Sequence, residues 1–258
     1  MKEEIFKIPN EGFTEVKEFC NANVNYALAD CQNNGMRALF IPEIVDARIA
    51  LPTSSKIWQL WYCAPSVSVI GRTKFDRKVV VYAHVQNYFC NPEHVKDSKS
   101  RVHDEFLKLL DMEDNKKVFV VDYDAFRTTD ANGLIDTSKA LKHLPTIAFL
   151  GGKERTEAYI AKHEDAIGKK IGFWHYRDSD DIHHGRFLML GTGCSLTPPS
   201  GDTFLGNVFW SFLGVRDKPE DARIISSPSL EQIMKVSSKY IAPADIKEAE
   251  KEIGALYK

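Results

Sequence analysis

The sequence predicts an α/β protein. Its central sheet is mixed and mostly parallel, flanked by helices, with an antiparallel extension at the N-terminal side. Three observations carry that expectation. Segments with strand and helix signatures alternate from residue 93 to residue 175. Inside that stretch, 117–124 (KVFVVDYD) and 146–150 (TIAFL) are apolar runs suited to strands buried on both faces. Ahead of it, 56–70 and 78–84 show the alternation and β-branched content of antiparallel partners, joined by the tip KFDR at 74–77.

In chain order, residues 14–33 carry apolar positions near helical spacing, with Thr14 placed to cap the start, and Asn34-Gly35 marks a turn. The runs RALFI (37–41) and ARIAL (47–51) read as short strands on either side of Pro42. The antiparallel pair follows. Residues 93–111 then read as a helix with Val95, Val102, Phe106, Leu109 and Leu110 on its inner face. The strand at 117–124 comes next, then a short helix at 137–144, the strand at 146–150, a helix over 154–164 and a strand at 171–174. Alternation of this kind implies right-handed β-α-β units. Residues 187–190 read as a strand, 207–215 as helix or strand, and 229–240 and 243–256 as two amphipathic helices. The expectation is a single domain over 1–258, with Asn91-Pro92 as the place where a sub-boundary would fall.

Composition excludes several classes. The chain has 258 residues, 43% hydrophobic and 27% charged, which is ordinary for a globular protein. Thirty-four basic and 36 acidic groups leave a formal net charge of −2, so no global field draws it to nucleic acid or an anionic membrane. The five cysteines are odd in number and scattered, which argues against a disulfide framework or a zinc ribbon. No apolar run approaches membrane-spanning length, and the first residues lack the apolar core of a signal peptide. A cytoplasmic setting is the expectation. The sequence carries no mark of oligomeric state.

The densest titratable chemistry lies in 169–195, where Asp178, Asp180, Asp181, His183, His184 and Arg186 sit between two apolar segments. Ligands of open α/β sheets gather at the carboxyl ends of strands, a rule that selects His84, Asn87, Asp122, Asp124, Gly151, Gly152 and His175. Asp122 and Asp124 lie two apart at a strand end and share a face, as acids holding a divalent metal (magnesium, manganese or zinc) do. Gly151 and Gly152 would let a phosphate approach a helix N-terminus, although no Walker A ending follows. His175 or His184 would act as general base and Arg186 would bind a phosphate oxygen. His184-Gly185-Arg186 resembles the opening of the H-x-K-x-x-x-x-D motif of the phospholipase D superfamily, in which a histidine attacks phosphorus and the lysine binds phosphate. Arg186 replaces the lysine, Gly191 stands where the aspartate belongs, and no second copy is present.

Two functions follow as expectations. The first is a cytosolic hydrolase acting on a phosphorylated small ligand or nucleic acid, a metal-assisted phosphodiesterase or nuclease. The second is a non-catalytic module that binds a nucleotide or a protein partner, and it accounts for the failure of every catalytic motif to close.

Overall fold

The computed structural model describes residues 5–6, 13–95, 102–128, 132–174, 183–191 and 210–217. Contacts divide the chain into two units, Met1–Arg216 and Asp217–Lys258, and the fold described here is that of the first.

The chain opens with strands β1 (Ile5–Phe6) and β2 (Phe13–Asn21), helix α1 (Val24–Asn33), strand β3 (Arg37–Ala38) and helix α2 (Ile41–Ala50). A hairpin of β4 (Tyr62–Arg72) and β5 (Lys78–Ala83) comes next, then 3-10 turns at Tyr88–Cys90 and Pro92–His94 and the short helix α3 (Glu105–Leu110). Strand β6 (Val118–Asp122), helix α4 (Tyr123–Thr128), strand β7 (Asn132–Asp136) and helices α5 (Thr137–Ala140), α6 (Leu144–Leu150) and α7 (Lys153–Ala166) follow. Strands β8 (Lys170–Trp174), β9 (His184–Leu190) and β10 (Trp210–Asp217) complete the described elements.

Eight strands form one sheet in the order β1-β2-β10-β4-β5-β6, with β9 also paired to β4 and β3 to β10. β7 and β8 form a separate antiparallel pair. β4 pairs with β10 in parallel, Phe212 beside Cys63. The pairs β1–β2, β3–β10, β4–β5, β4–β9 and β5–β6 are all antiparallel. The expected hairpin between β4 and β5 is present, Val67 opposite Ala83 through Arg72 opposite Lys78.

β4 is the axis of the sheet. Its first residues lie between β9 and β10, and its last residues lie between β9 and β5. The change of neighbour falls at Pro65-Ser66, where the register against β9 shifts between Ala64 and Val67. Proline has no N–H to offer a ladder, so a strand interior tolerates it at a bulge. Ala64 faces Leu188 and Val67 faces Phe187, so β4 gains two residues there, and an even insertion leaves each side chain on its own face. Tyr62, Ala64, Ile70, Val80, Tyr82, Leu188 and Leu213 therefore join one core cluster, with α2, α6 and α7 above them. Cys63, Val67, Val69, Val79, Val81, Phe187 and Phe212 join the other, with α1, α3 and Phe89.

Local chemistry explains the helices. At the start of α2, Pro42 occupies the first turn, where a missing N–H costs nothing. Glu43 reaches back to accept the Phe40 N–H at 2.9 Å and holds Arg37 through two bonds of 2.9 and 2.8 Å. α6 starts on His143, whose Nδ1 accepts the Thr146 N–H, and ends on Gly151 at φ 88°. Arg155 of α7 grips Asp46 of α2 through Nε at 2.7 Å and Nη2 at 3.1 Å.

The interior also holds a whole arginine. Arg48 of α2 is 0% exposed. Its Nε donates to the Ile57 carbonyl at 3.0 Å, and Nη1 donates to the Tyr159 hydroxyl at 2.9 Å and the Gly191 carbonyl at 2.8 Å. Nη2 donates to the carbonyls of Leu60 at 2.8 Å and Leu190 at 3.4 Å. The guanidinium lies 5.6 Å from the ring centre of Trp58, which stacks on Tyr159. One side chain thus ties α2, α7, the loop before β4 and the end of β9.

This architecture corrects the parallel α/β expectation. β6 runs antiparallel to β5 at the end of the sheet path and is not a buried central parallel strand. Residues 146–150 lie in helix α6, capped as described, and 47–51 fall in and just after helix α2. The helix read over 14–33 is strand β2 followed by α1, and of 93–111 only Glu105–Leu110 is α-helix among the described residues. The strand at 171–174 pairs with β7 outside the main sheet, and 210–217 resolves as strand. The helices read at 229–240 and 243–256 lie outside the described residues.

Candidate functional site

The bulge in β4 needs partners, because it exposes backbone groups inside the core. The Ser66 hydroxyl accepts the Ile41 N–H at 2.9 Å and lies 2.9 Å from His84 Nδ1. The opposite ring atom, His84 Nε2, lies 3.0 Å from the Ala148 carbonyl, which can only accept. Nε2 therefore carries the proton and Nδ1 takes the serine hydrogen, a neutral tautomer. Burial holds that imidazole down at about 4, with help from the Arg155 charge and against a backbone bond to Ala148 that favours the charged form. Asn87 completes the bulge, its Nδ2 donating to the carbonyls of Pro65 and Val85 at 2.7 Å each and its Oδ1 accepting the Phe89 N–H at 2.9 Å.

On the outer side of Asn87 lies an open groove of about 460 Å³. Its walls come from three places: Gln32 at the end of α1, the stretch from Gln86 to His94 with its two 3-10 turns, and Glu105 in the first turn of α3. Gln32 Nε2 donates to the Cys90 carbonyl at 2.7 Å and ties α1 to the turns. Asn91 Oδ1 accepts the Glu93 N–H at 3.0 Å, so both turns start on an asparagine cap. Tyr88 stacks on His94 at 3.9 Å between ring centres and meets His103 at 4.2 Å, with Phe89 and Phe106 edge-on beneath. His94 Nδ1 lies 2.9 Å from the Tyr88 carbonyl, and His103 Nδ1 accepts the Glu105 N–H at 3.2 Å. The turns are thus fastened to a rigid base, and their outer side chains Gln32, Gln86, Asn91 and Glu105 are exposed. Among the described residues neither lysine nor arginine lines the groove.

The residues singled out from sequence are dispersed. His84 and Asn87 sit at a strand end as expected, and they face inward to hold the bulge. Asp122 ends β6 and its Oδ1 accepts the N–H groups of Asp124 at 3.0 Å and Ala125 at 3.3 Å, the cap of α4. Asp124 is 84% exposed and lies 3.8 Å from Arg127. Among the described residues no group of three or more His, Cys, Asp or Glu is placed to hold a metal ion. Gly151 and Gly152, at φ 88° and 112°, join helix α6 to helix α7, where a strand-to-helix phosphate loop was expected. A Cβ on Gly151 would meet Pro42 at 2.5 Å, so close packing of α2 selects that glycine. His184 and Arg186 stand in β9 opposite Ile70 and Ser68. His175, Asp178, Asp180 and Asp181 lie outside the described residues. Sequence reasoning missed Gln32, Gln86, Tyr88, Asn91, His94 and Glu105. The one local sign of them was the pair Asn87 and Asn91, each opening a tight turn.

No family model matches the sequence, and no curated protein does. A solved structure described as the accommodation of massive sequence variation in Nanoarchaeota by the C-type lectin fold is similar to this chain. The TM-score is 0.70 and the identity 40%, over 81% of this chain and 100% of that one. This match overturns the hydrolase and nuclease expectation: the fold is that of a binding module, and two of the residues nominated for a substrate site, His84 and Asn87, are spent on the β4 bulge. No helix among the described residues is long and apolar enough to cross a membrane. At 40% identity over the whole of the matched structure, the chain belongs to the proteins built on the C-type lectin fold.

Proposed function

We propose that this chain is a non-catalytic binding module and that its ligand seats in the groove between α1, the asparagine-capped turns and the start of α3. The observation that carries this reading is the division of labour at Asn87. On one side, buried His84, Ser66 and Asn87 spend their polar atoms on the fold. On the other, exposed Gln32, Gln86, Asn91 and Glu105 line a groove of about 460 Å³, a size usual for ligand sites. The related structure accommodates massive sequence variation on this fold. A frame that spends its own polar groups internally, with an exposed lining free to change, supports the same property here.

Of the nucleotide and the protein partner expected from sequence, the groove favours the protein, since among the described residues no lysine or arginine lines it to meet a phosphate. A cytoplasmic setting goes with this reading, supported by the free thiols of Cys20, Cys31, Cys63 and Cys90. The test is a thermal-shift panel of peptides, nucleotides and divalent metals on the full chain, with and without chelator, repeated on Gln86→Trp. A ligand that binds only the folded state raises the melting temperature. The expected result is a saturable rise without consumption of the ligand, lost in Gln86→Trp. Turnover of the ligand, or a rise untouched by the blocking tryptophan, would overturn the reading.

A further inference from the structure

We propose that His103 is a pH-sensitive latch on the groove: when its ring takes up a proton, the start of α3 is released and the Glu105 wall of the groove loosens. The release is a property of the free protein. Its consequence for binding rests on the reading of the groove as the ligand site.

One lone pair carries the latch. The Glu105 N–H can only donate, so His103 Nδ1, 3.2 Å away, accepts, and the neutral ring carries its proton on Nε2. Asp104, at the cap position of α3, makes no side-chain bond to the helix. The His103 carbonyl takes the next N–H, that of Phe106, at 3.0 Å. A protonated imidazole donates from both nitrogens, so Nδ1 then sets N–H against N–H and the Glu105 amide loses its partner. The same bond to the N–H two residues on is made elsewhere by asparagine, at Asn21, Asn87, Asn91 and Asn115, over 2.8–3.1 Å. An amide oxygen keeps its lone pair in acid, whereas histidine is the side chain that changes state near neutral pH.

The surroundings decide which part moves. The Tyr88 ring lies between two imidazoles, His94 at 3.9 Å and His103 at 4.2 Å between ring centres, which are 6.4 Å from each other. An aromatic face attracts a cation, so the stack holds the charged His103 ring in place. His94 donates from Nδ1 to the Tyr88 carbonyl and keeps that bond in either state. The far end of α3 is pinned as well, for Asp111 accepts the Lys74 N–H of the β4–β5 tip at 2.7 Å. The start of the helix is what yields, and Glu105 there lines the groove. The titratable groups around His103 are Tyr88 and His94 on the turns, with Glu93 next to His94, and Asp104 and Glu105 beside it at the start of α3. Lys96, Asp97, Lys99 and Arg101, before it in sequence, lie outside the described residues. Surrounding charge sets the pH at which the ring titrates; the loss of its acceptor follows from the proton alone.

The experiment is NMR on the full, isotope-labelled chain between pH 8 and pH 5, with no ligand present. His84, held down at about 4, titrates below this range. The ring protons of His103 report its charge, and the Glu105 amide reports the bond. The Glu105 amide shift is expected to follow the His103 ring with one midpoint, and its protection from hydrogen exchange to fall about fivefold, the worth of one capping bond. His103→Asn keeps an acceptor at every pH, so Glu105 should stay protected from pH 8 to pH 5. His103→Phe keeps the stack and removes the nitrogen, so it should show the acid state already at pH 8. Unchanged melting temperatures verify that both variants fold, and the wild-type titration needs neither. A Glu105 amide whose protection ignores the His103 titration, loss of protection in acid by His103→Asn as in the wild type, or wild-type protection in His103→Phe at pH 8 would each overturn the inference. Each of these leaves the binding-module reading standing. That reading falls on a different result, ligand-induced shifts away from the groove at pH 8.

Discussion

Arg48→Met is the sharpest perturbation of the scaffold. The substitution keeps a long apolar stem in place and removes every donor of the guanidinium. Five hydrogen bonds disappear, four of them to the carbonyls of Ile57, Leu60, Leu190 and Gly191 and one to the Tyr159 hydroxyl. Each buried acceptor left without a donor costs about 1–3 kcal/mol, and such losses overlap because neighbouring groups relax together. Against this stands the gain from no longer burying a charge, for no carboxylate pairs with Arg48 among the described residues. The balance is a loss of about 3–5 kcal/mol, because several orphaned carbonyls at about 1 kcal/mol or more each outweigh that relief. A domain whose whole stability is about 5–15 kcal/mol would register that plainly. The assay is urea unfolding followed by fluorescence of Trp58, which lies over the guanidinium. The midpoint should fall at an unchanged slope. Arg48→Lys separates charge from geometry: a single ammonium cannot span carbonyls of the loop before β4 and the end of β9 together with the Tyr159 hydroxyl of α7, so lysine should recover little. A loss below about 1 kcal/mol for Arg48→Met, or full rescue by lysine, would refute the reasoning.

Three further outcomes follow from the same structure. Burial lowers His84 from 6.5 to about 4, and it lowers His163 as well, so both favour the neutral ring in the folded state. Their stabilising contribution is complete above the unfolded value of 6.5 and is lost as pH falls through the folded value, about 3 kcal/mol for His84 by pH 4; urea midpoints at pH 7 and pH 4.5 should show the drop, and a smaller drop should remain in His84→Gln. Gly185 lies flat against the ring of Phe106, so Gly185→Ala should overpack the core and cost about 1–3 kcal/mol in the same unfolding assay. Gln86 is exposed, so Gln86→Ala should change stability by no more than about 0.5 kcal/mol while altering ligand affinity; a large loss of stability would place it in the scaffold instead.

The sequence showed the parts of the fold that local pattern controls. Val67, Val69, Val79 and Val81 alternate as strand residues must, and the β4–β5 hairpin was legible from them. Helix α7 was legible from its length and charge. TIAFL was not, because a five-residue apolar run buried in a core has no period to distinguish helix from strand. Its helix is decided by Pro145 in the first turn, the His143 cap and the left-handed Gly151. The error then spread. Two such runs taken as parallel strands implied crossovers, whereas β6 simply lies antiparallel to β5. β2 was lost for the opposite reason: its residues run into α1 with no proline or glycine between, and the composition looks continuous.

The site was legible only at its hinge. His84 and Asn87 stood out as polar residues after a β-prone run, and they do end that strand. Which way His84 faces depends on Ser66 and Ala148, 18 and 64 residues away, and no local pattern encodes that. Gln32 and Glu105 reach the groove from α1 and α3, so the lining exists only after the two helices pack against the turns. The titratable run at 178–186 drew attention by density. Its histidine and arginine in β9 take their places in a ladder with β4.

The central claim is that ligand is held in the groove at Gln86–His94 and Glu105 and is released unchanged. Amide NMR during titration of the full chain with a ligand found by thermal shift tests it most directly. The account predicts shifts concentrated at Gln32, Gln86, Asn91, His94 and Glu105, small shifts at the buried frame of Ser66 and His84, and a ligand spectrum that is the same at the end as at the start. Shifts centred on β9 or on Asp122 and Asp124, or new product signals in the ligand spectrum, would contradict it.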